Sequence, residues 1–201
     1  MNSQTINKSS KSEYTDRGSK FLGFLIPINS AHQFRIELKN LKNVNLGATH
    51  VCRAYRLYNL NRLDEKASDD GEPSGSAGIP ILNELKRRNI VNVGMFVVRH
   101  YGGRKLGIPG LVHSYTETTR IAISNNSLSN WELKREYVLN HSYQDVNKID
   151  FLIKKYNAKL ISREFDLFIK SHFEISDKAV SRFELEIESK LSKSVSLVSI
   201  K

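Results

Sequence analysis

Residues 67–80, ASDDGEPSGSAGIP, bring three carboxylates and three glycines into one short stretch of an otherwise basic chain. Asp69, Asp70 and Glu72 are candidates to ligate a hard cation such as magnesium, which takes oxygen ligands from a few carboxylates and from substrate phosphates. The stretch lacks the alternating ligand rhythm of a calcium loop, and Pro73 stiffens it. The competing reading is a turn in which the Asp side chains bond nearby amides and Gly71 takes a positive φ. Gly75, Ser76 and Gly78 precede a helix whose free N–H groups suit an anion. No Gly-Lys-Ser/Thr follows, as a Walker loop requires, and the dinucleotide fingerprint G-x-G-x-x-G is absent.

A second glycine loop, residues 100–110 (HYGGRKLGIPG), also opens a helix. Its cations Arg104 and Lys105, with Arg99 just before it, add charge that phosphate favours. The competing reading for both loops is close helix–strand packing. Other catalytic candidates are weaker. His50 and Cys52 share a strand face, but nucleophilic use needs the imidazole within hydrogen-bond reach of the sulfur, and the default is a buried structural thiol. Ser74 and Ser76 lack a G-x-S-x-G elbow, and the six histidines are scattered. No catalytic residue and no metal site is assigned.

The elements that must position these residues follow from pattern. Residues 1–16 read as a frayed polar arm. A strand is expected over 20–28, a helix over 30–42, and a strand over 50–60 with Val51, Arg53, Tyr55 and Leu57 on one face and His50, Cys52, Ala54, Arg56 and Tyr58 on the other. Pro80 suits the first position of a helix over 80–89, which ends in Lys86, Arg87 and Arg88. A buried strand is expected over 90–99, a helix over 111–123 and a linker over 124–130. Beyond it, strand 137–141, helix 143–156, strands 158–165 and 167–175, helix 178–191 and strand 195–200 give the βαββαβ order of a ferredoxin-like domain.

With 201 residues the chain has room for two cores. It has no long apolar run, its first residues lack a secretory signal's apolar segment, and its single cysteine excludes an internal disulfide, so a cytoplasmic protein with no membrane contact is expected. The formal charge is +10, and residues 1–130 carry 18 Lys and Arg against 10 Asp and Glu, a surplus of eight. Such a surface attracts polyanions, which makes the first part the expected holder of any nucleic acid.

Three blocks carry a resemblance. Ala48-Thr49-His50-x-Cys52-x-Ala54-Tyr55 comes first, and Asp69-Asp70-Gly71-Glu72-Pro73-Ser74-Gly75-Ser76-Ala77-Gly78-x-Pro80-Ile81-Leu82 follows. The third is Val97-Val98-Arg99-His100-Tyr101-Gly102-Gly103-x-Lys105-Leu106-Gly107-x-x-Gly110-Leu111. In order and spacing they resemble the YigZ/IMPACT family. The chain departs from that pattern at Val51, often Asn, at Pro109, usually Gly, and at His113-Ser114, where Arg-Ala is common.

The resemblance implies an α+β protein of two domains. Residues 17–126 would form an N-terminal ribosomal-protein/GHMP-kinase-like αβ sandwich, and residues 134–201 the C-terminal ferredoxin-like βαββαβ domain. Eukaryotic members act as regulators that compete for an activator of a starvation-sensing translation kinase, so a broad link to translation carries over. The expected function is a non-enzymatic binding protein without a cofactor, contacting RNA, the ribosome or a translation-associated protein. Arg53, Arg56, Arg99, Arg104 and Lys105 would meet phosphates, and Tyr55, Tyr58 and Tyr101 would stack on bases or a protein partner. Asp69, Asp70, Glu72, Gly75, Ser76, Gly78, Gly102 and Gly103 complete the expected paired-loop surface. The alternatives are a phosphate- or nucleotide-handling enzyme and a protein-only interaction module.

Overall fold

A computed structural model describes residues 3–59, 62–190 and 196–199. It divides into two compact units, residues 1–131 and residues 132–201.

The first unit is built on a five-stranded antiparallel sheet. Its strands are β2 (Ser10–Asp16), β3 (Ser19–Pro27), β4 (His50–Asn59), β5 (Arg62–Ser68) and β6 (Val93–His100), in the order β2-β3-β6-β4-β5. A separate two-stranded sheet joins β1 (Ser3–Ile6) to β7 (Leu128–Trp131). Three helices pack on the five strands: α1 (Ala31–Val44), α2 (Gly78–Arg87) and α3 (Gly107–Ser124). The period-2 alternation of β4 decides what each helix meets. Cys52 and Ala54 join Phe21, Met95, Val97, Ile81, Leu85 and Tyr115 in the core under α2 and α3, while Tyr55 and Leu57 join Phe34, Leu41 and Phe96 under α1. Strand β6 lies between β3 and β4, and its first seven residues are buried, as its run of apolar residues leads one to expect.

The described part of the expected arm, residues 3–16, is not frayed but holds β1 and β2. Within β2, Ser10 and Ser12 are buried because their hydroxyls donate to the α3 carbonyls of Ala122 and Thr118, both at 2.7 Å. Those bonds satisfy polar side chains that composition alone places outside. The expected linker likewise ends in β7, and its Trp131 ring stacks on Tyr58 at 4.3 Å. Helix α2 begins at Gly78, two residues before Pro80, and α3 begins at Gly107, four residues before the expected start. Both prolines still fall in a first turn, where a missing N–H costs no intrahelical bond. The strand expected over 50–60 is described from His50 to Asn59, and its residue 60 lies outside the described residues.

The second unit has β8 (Lys134–His141), α4 (Val146–Lys155), β9 (Lys159–Phe165), β10 (Ile169–Ser176), α5 (Asp177–Lys190) and β11 (Ser196–Ser199). The sheet order β11-β8-β10-β9, antiparallel throughout, is the ferredoxin-like arrangement. Its core is Tyr137, Leu139, Ile149, Leu152, Phe173, Ile175 and Phe183. Residues 191, 195 and 200, expected at the ends of the last helix and strand, lie outside the described residues.

Candidate functional site

The acidic loop turns its carboxylates inward. Asp70 has φ 47° and Gly71 φ 94°, so two successive left-handed residues reverse the chain after β5. The reversal lets each carboxylate serve a different element. Asp69 Oδ1 accepts from the N–H groups of Ala77 (3.0 Å) and Gly78 (2.8 Å), and Oδ2 accepts from Gly75 N–H at 2.9 Å. The Gly75, Ala77 and Gly78 amides, where an anion was expected to sit, are therefore held by this chain's own aspartate. Gly78 must be glycine for a separate reason, because a Cβ there would lie 2.6 Å from the Ser68 nitrogen. Ser76 is buried, and its hydroxyl donates to the Pro73 carbonyl at 2.6 Å.

Asp70 pins β4. Its Oδ2 accepts from Val51 N–H at 2.9 Å, and Oδ1 accepts from Arg53 Nη1 at 2.9 Å and Lys42 Nζ at 3.0 Å. Burial alone would raise this carboxyl, but the Val51 amide, Arg53 and Lys42 outweigh it and leave its pKa below the ordinary carboxylate value.

Glu72 enters the core beneath α3. Its Oε1 accepts from Arg99 Nη1 at 2.6 Å and from the Tyr115 hydroxyl at 2.8 Å. The Arg99 guanidinium carbon sits 5.5 Å from the ring centres of both Phe21 and Tyr101. Its buried Nε has no hydrogen-bond partner among the described residues. Beside this pair, His50 Nδ1 lies 2.8 Å from the Asp70 carbonyl oxygen, which can only accept, so Nδ1 carries a hydrogen. The Cys52 sulfur lies 2.9 Å from the Asp69 carbonyl and 3.2 Å from the Tyr115 hydroxyl. Burial first, then the charges of Glu72, Asp70 and Asp69, push this thiol up to about 12 despite the Tyr115 hydroxyl, so it stays protonated at neutral pH. A protonated thiol is a poor nucleophile, and the His50–Cys52 pair reads as structure.

The basic loop is the opposite case. Tyr101, Gly102, Gly103, Arg104 and Lys105 are all exposed. Neither Arg104 nor Lys105 has a hydrogen-bond or ion-pair partner among the described residues, whereas Arg53, Arg56 and Arg99 each pair with a carboxylate. Two contacts fix where the loop starts: Tyr101 N–H donates to Thr49 Oγ1, and Gly102 N–H to Ser19 Oγ, both at 3.2 Å. Gly102 also packs on the β2–β3 turn so closely that a Cβ would lie 1.9 Å from the Gly18 carbonyl carbon. That contact brings the turn carrying Arg17, whose side chain is 60% exposed, against the basic loop. The start of α3 follows, with no side chain capping its first amides.

The expected surface therefore separates into layers. Tyr101, Gly102, Gly103, Arg104 and Lys105 lie outside. Asp69, Asp70, Glu72, Gly75, Ser76, Gly78, Arg53 and Arg99 form the scaffold beneath and beside them. Tyr55 and Arg56 are placed elsewhere, as their opposite faces of β4 require. The Tyr55 side chain is buried under α1 with its hydroxyl donating to Asp64 Oδ2 at 2.6 Å. Arg56 is buried under α2, where Nη1 donates to the Ile90 carbonyl at 3.0 Å and Nε to Glu65 at 2.8 Å. Both are thus corrected from surface contacts to structural residues. No group of three or more metal-ligating side chains exists among the described residues, and none of their helices is long and apolar enough to cross a membrane. Sequence reasoning missed Arg17, which falls between the expected arm and the first expected strand, and Tyr115, which reads as an ordinary core residue on the inner face of a helix.

Comparison with known proteins bears on the same residues. The profile of the Impact N-terminal domain matches residues 17–123, which contain both loops. An IMPACT family member from Haemophilus influenzae is 30% identical over 178 residues, spanning 87% of this chain and 85% of its own. YvyE, an IMPACT family member from Bacillus subtilis, is 30% identical over 146 residues, covering 73% of this chain and 67% of its own. A solved structure of a hypothetical protein, 23% identical, superposes over 100% of this chain and 98% of its own with a TM-score of 0.68.

Proposed function

The chain belongs to the IMPACT family, and from that premise we propose that its first unit is a translation-linked binding domain that takes single-stranded RNA on the Tyr101–Lys105 loop and the Arg17 turn. One observation carries the reading: Arg104 and Lys105 are exposed and without partners among the described residues, in a unit whose neighbouring cations are tied to carboxylates. Unpaired cations on a projecting loop meet phosphates at little desolvation cost, and Tyr101 adds a half-exposed ring on which a base can stack. The network of Asp69, Asp70 and Glu72 serves as the frame that holds the loop, and Arg99 joins frame to loop because it bonds Glu72 and lies against Tyr101.

A nucleotide-handling enzyme is the weaker reading. Such chemistry wants carboxylates for magnesium and open helix amides for phosphate, and here the one set holds the other. The test is the affinity of a labelled single-stranded RNA as sodium chloride is raised. A linear fall of log affinity against log salt supports phosphate contact. Absence of salt-sensitive RNA binding, together with failure to cosediment with ribosomes, overturns it.

A further inference from the structure

At the other end of the same sheet lies a second, chemically different concavity. The β3–β6 register runs from Lys20 opposite His100 beside the basic loop to Pro27 opposite Val93, seven residues away, a span of about 24 Å at 3.4 Å per residue. There a cavity of about 450 Å3 opens between β1, the end of β3, the start of α1 and the end of β4. Its volume lies in the usual range for small-molecule sites. Ile6, Ile28 and Leu57 form a buried apolar floor. The walls are side-chain amides, from Asn7, Asn29, Gln33 and Asn92, and among the described residues not one Lys, Arg, Asp or Glu lines it.

The amides divide by use. Gln33 is spent on the backbone, accepting from Asn29 N–H and donating to the Pro27 carbonyl, and Asn92 accepts from Tyr58 N–H at 2.9 Å. The side chains of Asn7 and Asn29 are exposed and have no partner among the described residues. Tyr58 also lines the cavity, and its ring is braced by the stack on Trp131. An amide offers a donor and an acceptor side by side, which is the pattern a nucleobase edge presents, and a braced aromatic ring offers it a stacking surface.

We propose that this cleft is a binding site for a neutral nucleobase, held by its ring and edge and without phosphate recognition. The absence of charged lining sets it apart from the basic loop, where binding falls with salt. Affinity at the cleft is independent of salt, because no counterions are released there.

Trp131 is the chain's single tryptophan, so its fluorescence reports on this site. Titration with adenosine and uridine, which carry no phosphate, should give a saturable change in that signal, with the same midpoint at about 50 and 500 mM salt. Asn7→Ala with Asn29→Ala should weaken it by about fivefold or more, on the scale of lost hydrogen bonds. Both residues are exposed, so the variant folds, and unchanged far-UV dichroism checks that it has. Tyr58→Phe should retain binding. The proposal is overturned by no saturable change, by an affinity that falls with salt, by an unaffected Asn7/Asn29 variant, or by binding of an uncharged dipeptide amide in preference to either nucleoside. None of these outcomes depends on the basic loop, which can fail or succeed separately.

Discussion

Arg99 Nη1 donates to Glu72 Oε1 at 2.6 Å, with both side chains less than a tenth exposed. This bond fastens the end of β6, from which the basic loop springs, to the loop that starts α2. Removing one partner leaves a buried charge alone, which costs about 3–5 kcal/mol. Glu72→Ala should therefore lower the urea midpoint sharply. Glu72→Leu with Arg99→Met, which removes both charges, should recover much of that loss. A double variant no better than the single one would contradict the role given to the pair.

Asp69 ties down the start of α2 with three accepted N–H bonds, from Gly75 and Ala77 before the helix and from Gly78, its first residue. Asp69→Ala should cost about 1–2 kcal/mol, the range of a lost helix cap. Magnesium should leave the melting temperature of the native protein unchanged, since a ligand that favours the folded state must raise it. A rise with magnesium would show that the acidic loop retains cation-binding capacity.

Asp70 makes stability depend on acid. Its folded pKa lies below the ordinary value because Val51, Arg53 and Lys42 outweigh its burial. A depressed carboxyl contributes stability that is fully present above the unfolded value of about 3.9 and is lost as pH falls through the folded one. Asp70→Asn should thus destabilise at neutral pH, and the two stability curves should converge as the solution becomes strongly acidic. Curves that stay parallel would contradict this assignment.

Cys52 should resist alkylation. With its thiol pushed up to about 12, the reactive thiolate at pH 8 is on the order of a thousandfold scarcer than for a free cysteine. Labelling with iodoacetamide should follow unfolding by urea. Rapid labelling of the native protein would restore His50 and Cys52 as a candidate reactive pair.

Where sequence and structure agree, local pattern and tertiary packing act together. Strand β6 was legible because its apolar run suits burial on both faces, and the ferredoxin-like unit because its periods switch cleanly between strand and helix. Strand β2 was not, because Ser10 and Ser12 are polar in composition and buried in fact, satisfied by carbonyls more than a hundred residues away. Strand β5 was given no element for a related reason: RLDEKAS is mostly polar, but its Asp64 and Glu65 are partners for Tyr55 and Arg56 across the β4 pairing. Alternation along β4 correctly put Arg56 opposite Tyr55, yet could not say that the end of α2 covers it. The acidic loop divides similarly. Its pairing with a cation was legible in type, since carboxylates beside arginines satisfy one another. That the partners are Arg53 and Arg99, and not Arg104 and Lys105, depends on the left-handed turn at Asp70 and Gly71.

The central claim is that Arg104 and Lys105 meet phosphate. The most direct measurement is the slope of log affinity against log salt for single-stranded RNA, compared between the native protein and Arg104→Ala with Lys105→Ala. Two lost phosphate contacts should reduce the magnitude of the slope by about 1.4, at about 0.7 per contact on a single strand, with the melting temperature unchanged because neither side chain has a partner to lose among the described residues. An unaltered slope in the folded variant would contradict the account.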